Sequence, residues 1–320
     1  MPNNAAFDFF KKRILLLSDA AWGGNTLWTD VENWLKNFKG ETGNTIEIEQ
    51  IHALFILSQF LFFGGRQIRE LLHALYRDNF YIPLVQKIRK DNNNTRDLNE
   101  IKSILQREIG LTRFLGIGNP SESGAHLLYY FRQENNLPSS LFLDISHLIK
   151  IEKDKYGNDI TNLLDTNIKR YIFIDDICGT GYNAITCSNN LLSNINNNVE
   201  FCYLTLFATT SGLSEVNRNT VFKGNCKTIF ELDNTYKILA DDSRYILNCP
   251  DHINQEIISK IVKHYGMTLW EEHPCGYGDN QLVLGMYHNI PNNTIPIVWY
   301  GDGAWVPIFK RYVKVKGIEI

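Results

Sequence analysis

Apolar residues recur at intervals of three and four positions along the first third of the chain, which is the spacing of one face of an α-helix. Ile68, Leu71, Leu72 and Leu75 show this spacing clearly. The pattern predicts helices over residues 7–17, 27–38, 46–63 and 66–76. We therefore expect a helical N-terminal domain over residues 1–108.

Short apolar runs replace this pattern further along the chain. Strands are predicted at 113–118, 141–145, 171–174, 199–207 and 227–232, and helices at 125–134, 182–192 and 255–265. The run 199–207 is almost continuously apolar, which is typical of a strand buried on both faces. Strands that alternate with helices favour a parallel α/β sheet. We assign this α/β core to residues 109–265.

The last part of the chain, residues 266–320, alternates turn-forming residues with short apolar runs at 281–287 and 296–300. Such a section predicts a small β-rich cap that completes the core.

The net charge and the cysteine pattern limit the kinds of protein that this chain can be. The formal net charge is −3 and the isoelectric point is near 6.3, so nucleic-acid binding would need a local basic patch. The six cysteines show neither a CxxC pair nor metal-ligand spacing with histidine, which indicates reduced thiols. The longest apolar run, 51–63, is too short to span a bilayer, and the N-terminus carries no secretory signal. We expect a cytoplasmic protein without membrane contact.

The most informative stretch follows the predicted strand 171–174, where Asp175 and Asp176 end the apolar run. Small, turn-forming residues come next and lead into the predicted helix 182–192. This order of strand, loop and helix surrounds an anion with backbone N–H groups. The two carboxylates would face the hydroxyls of a ribose, directly or through Mg²⁺. Neither the Gly-Lys-Ser/Thr of a P-loop nor a GxGxxG fingerprint accompanies the loop.

The residues of the loop suit a sugar phosphate. Gly179 and Gly181 permit backbone torsions and close approaches that a side chain would block. Thr180 and Asn183 add hydrogen-bonding groups for phosphate oxygens. A simpler alternative is a strand whose acidic residues only cap the following helix.

The stretch 171–184 resembles the PRPP-binding signature of type I phosphoribosyltransferases, in which an apolar run, two acids and small residues surround a Thr-Gly pair. The resemblance implies a type I phosphoribosyltransferase-like core whose catalytic residues, Asp175 and Asp176, hold the ribose hydroxyls and can ligate Mg²⁺. It also implies a loop that wraps the 5′-phosphate, formed by Ile177, Cys178, Gly179, Thr180, Gly181, Tyr182 and Asn183. The family usually has a small residue and then Thr or Ser where Tyr182 and Asn183 stand here.

Two further segments match that family by position. The loop after the first predicted strand lies where phosphoribosyltransferases contact pyrophosphate, and its candidates are Ser121, Ser123 and Gly124. A cap for the next helix is the alternative. The charged segment 147–159 lies where the family carries a mobile loop, and a lysine there would neutralise a departing pyrophosphate. A solvated, lysine-rich hairpin is the alternative.

The tail resembles a prokaryotic family of phosphoribosyltransferase-like proteins linked to conflict systems, including effectors encoded beside retron reverse transcriptases. The residues that carry this resemblance are Gly276, Tyr277, Gly278, Gln281, Pro291, Asn292, Asn293, Thr294, Pro296 and Trp299. Turn formation and core packing account for most of them without a ligand. The resemblance implies an antiphage effector or toxin that acts beside a reverse transcriptase with its msDNA.

Three kinds of function follow from these observations. The first is an enzyme that binds PRPP or a nucleotide and cleaves or transfers at ribose C1. The second is a catalytically silent module that senses a nucleotide, which the bulky Tyr182 favours. The third is a structural subunit of a defence complex, which would need a local basic patch to contact nucleic acid.

Overall fold

The computed structural model of the protein describes residues 2–24, 26–118, 123–153, 155–157, 159–192, 195, 199–301 and 303–311. The chain forms two compact units. The first comprises the chain up to Ile68 together with the chain from Asp233 onward, and the second is Arg69–Leu232. The sequence predicted domain boundaries at residues 108 and 265. The boundaries of the two compact units lie elsewhere, after Ile68 and after Leu232. The predicted domains stay a prediction.

Most of the predicted elements are present in the described part of the chain. The α-helices there are α1 Pro2–Ala20, α2 Trp28–Leu35, α3 Ile46–Ser58, α4 Gly65–Tyr76, α5 Ile82–Asp91, α6 Leu98–Gly110, α7 Ser123–Glu134, α8 Tyr182–Cys187, α9 Thr210–Asn219 and α10 Gln255–Leu269. The β-strands there are β1 Leu61–Phe63, β2 Thr112–Gly116, β3 Ile149–Lys153, β4 Asp159–Leu163, β5 Arg170–Cys178, β6 Glu200–Thr209, β7 Cys226–Leu232 and β8 Leu284–Met286. Every predicted helix overlaps an observed one.

The second unit is built on a four-stranded sheet with the strand order β2-β5-β6-β7. Neighbouring strands are parallel, and each pairing keeps one register along its length. Parallel neighbours need crossover connections, and the chain supplies α8 between β5 and β6 and α9 between β6 and β7. The predicted parallel α/β sheet is confirmed.

The strand predicted at 141–145 is wrong. Phe142 forms a single parallel bridge with Phe114 of β2, and short 3-10 helices flank it on both sides. Asp144 accepts hydrogen bonds from the amide and the hydroxyl of Ser146, at 2.9 Å and 2.6 Å. This local capping turns the backbone and ends the extended stretch after one bridge.

Helices cover both faces of the sheet. On one face, Phe173 of β5 belongs to a buried cluster with Ala184 of α8 and Val216 of α9. Phe114 of β2 is in register with Ile172, the residue before Phe173. Neighbouring residues of a strand point to opposite sides of the sheet, so Phe114 lies on the other face. Its ring centroid is 5.2 Å from that of Phe131 in α7. The second unit is therefore a three-layer α/β structure.

An ion cluster around the buried Arg170 and Glu108 closes the amino end of this sheet. The Arg170 guanidinium lies 3.0 Å from Glu108 and 2.8 Å from Glu200, and Lys169 lies 3.1 Å from Glu108. Burial opposes ionisation of Glu108, but the hydrogen bonds from Arg170 and Lys169 outweigh it and lower the pKa of that carboxyl. The cluster ties α6 to β5 and β6 at the end away from the predicted site.

The first unit surrounds α3, whose residues 51–58 are all buried. The ring centroid of Phe55 in α3 lies 5.9 Å from that of Phe10 in α1. The helix predicted over 46–63 is wrong beyond Ser58, whose hydroxyl donates to the Phe55 carbonyl at 2.8 Å in the last turn. Residues Leu61–Phe63 then form β1, which pairs in parallel with β8. No helix among the described residues is long and apolar enough to cross a membrane.

The motif residues of the tail hold one another in place within the first unit. Gly276 has a φ of 88°, and a Cβ there would lie 2.5 Å from the Asn293 carbonyl oxygen. The Trp299 indole N–H donates to the Thr294 carbonyl at 2.8 Å, and the Thr294 hydroxyl donates to the Leu284 carbonyl at 2.5 Å. Short 3-10 helices and turns surround β8. Backbone packing therefore gives these residues a structural role.

Glu49 is fully buried at the start of α3, and hydrogen bonds hold its carboxylate. The amide and hydroxyl of Thr42 donate at 2.8 Å and 2.6 Å, the Gly40 amide at 2.8 Å and the Tyr265 hydroxyl at 2.6 Å. Burial opposes the charge, but the hydrogen bonds outweigh burial and lower the pKa of Glu49. One carboxylate thus fastens the turn at 40–42 and α10 to α3.

Glu49→Gln should lower the free energy of unfolding by about 2–3 kcal/mol at pH 7, because an amide NH₂ replaces one acceptor oxygen and leaves buried donors unpaired. Urea titration measures the change. Glu47→Gln, at an exposed position of the same helix turn, is the control and should change the free energy by less than about 0.5 kcal/mol.

The same residue predicts a pH dependence. A carboxyl group whose pKa is lowered by folding stabilises the protein above its unfolded pKa, near 4.5, and loses that effect as the pH falls toward the folded-state pKa. The difference in stability between wild type and Glu49→Gln should therefore shrink below pH 4.5. A difference that stays constant down to pH 3 would contradict this account.

Candidate functional site

The order of the strands reverses between β2 and β5. Because β2 pairs with β5 along one edge, the bridge between Phe114 and Phe142 uses the other edge of β2. The chain runs outward from β2 to Phe142, returns past β2 to β5, and then continues to β6 and β7. In open α/β sheets, ligands bind in the crevice at the carboxyl ends of the strands where the order reverses. Here that crevice lies at the ends of β2 and β5.

β5 is longer than predicted, so the prediction that the aspartates follow the strand is wrong. The strand continues past Ile174 to Cys178, because the ten-residue strand β6 pairs with it to that point. The ladder with β2 ends earlier, where the Ile117 amide donates to the Ile174 carbonyl at 3.1 Å. From Asp175 onward, β5 therefore pairs with β6 on one side, and on its other side no described residue of β2 pairs with it.

Asp175 and Asp176 are buried in this part of β5, with 5% and 2% of their surface exposed. The Tyr203 hydroxyl donates to Asp175 Oδ2 at 2.9 Å, and the Asp176 amide donates to Asp175 Oδ1 at 2.9 Å. The Ile177 amide donates to Asp176 Oδ1 at 2.8 Å. Fixed donors therefore orient both groups.

Burial, followed by the adjacent charge of Asp176, raises the pKa of Asp175 well above its usual range. The Asp175 carboxyl therefore resists ionisation beside the charge of Asp176. Burial and the charge of Asp175 also raise the pKa of Cys178 and of Cys187 to about 12. Both cysteines are thiols at neutral pH, which makes them poor nucleophiles.

Close backbone contacts with the start of α9 fix the loop after β5. A Cβ on Gly212 would lie 2.4 Å from the Gly179 carbonyl oxygen and 2.8 Å from that of Cys178. The Thr209 hydroxyl donates to the Gly179 carbonyl at 2.5 Å and accepts from the Gly212 amide at 2.9 Å. The β6–α9 junction therefore holds the loop in two ways. Gly212 has no side chain to block the close approach, and the Thr209 hydroxyl bonds to the loop.

Gly181 ends the loop and caps α8 in the left-handed region, with a φ of 80°. A Cβ there would also lie 2.9 Å from a methyl group of Val216. The Thr180 hydroxyl accepts from the Tyr182 amide at 3.4 Å. Tyr182 is 62% exposed, and Asn183 is also exposed. The start of α8 thus combines backbone amides, a hydroxyl group and an accessible aromatic ring beside the crevice.

The predicted pyrophosphate loop is described only in part. Ser121 lies outside the described residues, and so does the side chain of Ser123. Gly124, in the first turn of α7, is buried, and a Cβ there would lie 2.7 Å from the Ile117 carbonyl oxygen and 3.2 Å from that of Ile174. This approach brings the start of α7 to the ends of β2 and β5. Its contact with pyrophosphate stays a prediction.

The charged segment 147–159 belongs to an antiparallel hairpin of β3 and β4. Lys150 forms an ion pair with Glu152 at 2.9 Å. Lys153 donates to a carbonyl in the turn at 3.3 Å, and Lys155 lies 4.9 Å from the ring centroid of Tyr156. These contacts lie within the hairpin, as the solvated-hairpin alternative expects.

Three residues of the site escaped the sequence analysis. Tyr203 lies in a run so uniformly apolar that its hydroxyl gave no signal. Thr209 and Gly212 belong to a short polar run, Thr-Thr-Ser-Gly, which begins one residue after the predicted strand 199–207. That run repeats the strand, small loop and helix pattern of the main loop, and this repetition was the available signal.

The fit of Mg²⁺ to the site follows from the donors present. Among the described residues, no group of three or more His, Cys, Asp and Glu side chains has the arrangement of a metal site. The aspartate pair supplies two carboxyl groups. Protein-bound Mg²⁺ often uses one or two carboxylates together with water and substrate phosphates. The pair therefore fits a magnesium ion that arrives with a phosphorylated ligand.

Comparison with protein families gives one match over most of the chain. A family model described as PRTase-CE matches residues 31–311. Comparison with curated proteins finds no match.

Several solved structures are similar to this chain. A hypothetical protein from Neisseria gonorrhoeae with bound ppGpp is 8% identical, with 55% of this chain and 86% of that chain covered and a TM-score of 0.29. For orotate phosphoribosyltransferase from Aeropyrum pernix, the identity is 15%, the coverage 42% and 77%, and the TM-score 0.24. Adenine phosphoribosyl transferase from Trypanosoma brucei in complex with AMP, pyrophosphate and ribose-5-phosphate is 16% identical. The match covers 43% of this chain and 69% of that chain, with a TM-score of 0.26.

Gly212→Ala tests the packing of the loop. The added methyl group meets two backbone carbonyls, which must move, so we expect a loss of about 1–3 kcal/mol in the free energy of unfolding. Gly110→Ala is the matched control, since a Cβ there has no atom within 4 Å, and it should be neutral or slightly stabilising. Chemical denaturation of both variants measures the effect. Equal stability of the two variants would show that the junction does not constrain the loop.

Proposed function

The chain belongs to the PRTase-CE family, and from this membership we propose that it is a phosphoribosyltransferase-like protein that binds PRPP or a nucleotide in the crevice between β2 and β5. One observation carries the proposal. The aspartate pair and the loop 179–181 lie only two residues apart at the carboxyl end of an inner strand. Ribose 5-phosphate carries hydroxyl groups and a phosphate on one small ring, so neighbouring protein groups can bind both.

The phosphate end of the ligand would lie at the start of α8. Backbone amides at a helix start attract an anion, and the left-handed Gly181 turns the chain so that successive amides follow one another there. The Thr180 hydroxyl and the Asn183 side chain add hydrogen-bond donors. The firm attachment of the loop to α9 supports this assignment, because a preorganised loop loses little entropy when it binds.

The ribose would lie against the aspartate pair. Among the described residues, none of β2 pairs with β5 from Asp175 onward, and we place the approach of the ligand at this edge of the strand. The acceptor oxygens of Asp175 and Asp176 suit vicinal hydroxyl groups, and Tyr203 keeps the Asp175 carboxyl in its orientation. A Mg²⁺ ion bound to the phosphates of the ligand would supply positive charge at the leaving group. Asp175 and Asp176 would provide its protein ligands.

Chemistry at such a site takes place at ribose C1. The bond from C1 to pyrophosphate or to a base breaks, the bonding electrons leave with that group, and positive charge develops on the ribose ring. The negative charge of the nearby aspartate pair stabilises this charge. An incoming nucleophile then bonds to C1, which gives transfer, or cleavage when that nucleophile is water.

We also propose that the protein is an effector of an antiphage defence system of the retron type, working with a reverse transcriptase and its msDNA. The support is the likeness of its tail motifs to those of effectors of that kind. Phage challenge of bacteria that carry the protein with its genomic neighbours tests this role. Equal phage resistance with and without the gene would contradict it.

The double substitution Asp175→Asn and Asp176→Asn should abolish turnover or toxicity. Folding should survive, because two neutral isosteres replace a buried pair that resists full ionisation. Isothermal calorimetry with PRPP and Mg²⁺ should show binding weakened by at least about tenfold, through lost interactions worth about 1.4 kcal/mol or more. Asp91→Asn, at the exposed end of α5, is the control. Unchanged activity in the double variant would contradict the proposal.

A second candidate function is a module that senses a nucleotide without turning it over. The exposed Tyr182 favours it, because a bulky ring stands where related enzymes have a small residue. Calorimetry with PRPP, AMP and NAD, combined with mass spectrometry of a nucleotide extract incubated with the protein, separates the two functions. The module should bind a ligand and leave the extract unchanged, with and without its genomic neighbours. Any new product would contradict it.

A further inference from the structure

β7 is the last strand in the order of the second unit's sheet, and β6 is its partner on one side. Among the described residues, no strand pairs with its other edge. The seven residues Cys226–Leu232 contain no proline and keep a single register with β6, so no bulge distorts the strand. A long, regular edge of this kind is a template for pairing with another strand.

The hydrogen bonds define which groups face outward. The Tyr203 amide of β6 donates to the Asn225 carbonyl, so the odd-numbered residues of this segment direct their N–H and C=O groups toward β6. The backbone groups of Cys226, Thr228, Phe230 and Leu232 therefore point away from the sheet. The Thr228 hydroxyl donates to the Phe230 carbonyl at 3.1 Å, which agrees with a carbonyl outside the ladder.

We propose that β7 pairs antiparallel with β7 of a second copy of this chain, about a two-fold axis that passes between Ile229 and the partner's Ile229. In this register Thr228 lies opposite the partner's Phe230, and the outward backbone groups of both residues face each other. The whole strand pairs, since Cys226 lies opposite the partner's Leu232. The sheet of one protomer then continues into that of its partner.

Charge complementarity selects this register. Lys227 lies opposite the partner's Glu231, and the two-fold axis generates the reciprocal pair. Both pairs occupy non-hydrogen-bonded positions, where opposing side chains are closest. A register centred on Thr228 or on Phe230 would instead set a charged residue opposite Ile229. The sequence Lys-Thr-Ile-Phe-Glu is thus self-complementary in one antiparallel register.

Existing contacts leave both charged groups able to form these pairs. Lys227 Nζ lies 3.5 Å from the Asn79 carbonyl oxygen, a contact that uses one of its three N–H donors. Glu231 Oε1 accepts from the Thr210 hydroxyl at 2.8 Å, and its other oxygen can accept from a partner. Both contacts restrict the side chains before pairing, which reduces the entropy lost on pairing.

The size of the contact sets its strength. Phe230 is 38% exposed and stacks on Phe207 with ring centroids 5.5 Å apart, so pairing would cover part of an ordered aromatic ring. A single strand edge buries less surface than the roughly 1,200 Å² of a stable interface. We therefore expect a reversible dimer with a dissociation constant on the order of 1–100 µM.

Sedimentation equilibrium of the full-length protein tests the pairing over about 1–200 µM, a range that brackets such a constant. The wild type should change from the 36.9 kDa monomer to a dimer as its concentration rises. Lys227→Glu and Glu231→Lys should each weaken the dimer by about tenfold or more, because both cross-strand pairs become repulsive. The double variant carrying both substitutions should restore it, since each pair is then attractive with reversed polarity.

A further variant separates pairing from stability. Thr228→Pro removes an outward N–H that the ladder with β6 does not use, so it should give a monomer that keeps the wild-type circular dichroism spectrum. A wild type that stays monomeric across the range overturns the proposal. So does a dimer that tolerates both single charge reversals, or one that either reversal weakens and the double variant fails to restore.

Discussion

The close packing of the β6–α9 junction against the loop after β5 is the contact on which the candidate site depends. Gly212 lets the backbone of α9 approach the carbonyls of Cys178 and Gly179, and Thr209 bonds the two segments together. The shape of the loop is therefore set by residues about thirty positions away in the chain. These contacts restrain the loop, and a restrained loop would lower the entropy cost of binding the proposed phosphate.

The second feature of the site is a pair of buried carboxyl groups whose ionisation depends on the residues around them. Strand pairing with β6 keeps Asp175 and Asp176 inside the sheet, and Tyr203 donates to Asp175 from the next strand. Burial and mutual repulsion favour a single negative charge on the pair. Such a pair can accept hydrogen bonds from ribose hydroxyls, and a metal ion or a developing positive charge beside it would favour its full ionisation.

Local pattern predicted the parts of the fold that depend on local physics. Apolar spacing identified the helices and four of the strands, and the order of strand, acids, glycines and helix identified the loop. The local pattern gave wrong strand and helix limits where tertiary contacts determine the secondary structure. β6 extends β5 through the aspartates, Asp144 caps a turn within a predicted strand, and β8 recruits Leu61–Phe63 from a predicted helix. Tyr203, Thr209 and Gly212 act on the loop across strands, and one sequence does not reveal which residues the fold will bring together.

We propose that ribose and phosphate groups bind together between the ends of β2 and β5. A crystal structure of the protein with PRPP and Mg²⁺ would locate both groups. We expect the 5′-phosphate on the backbone amides of 179–182 and the ribose hydroxyls within hydrogen-bonding distance of Asp175 or Asp176. PRPP bound at another place in the chain, with this crevice filled only by water, would contradict it.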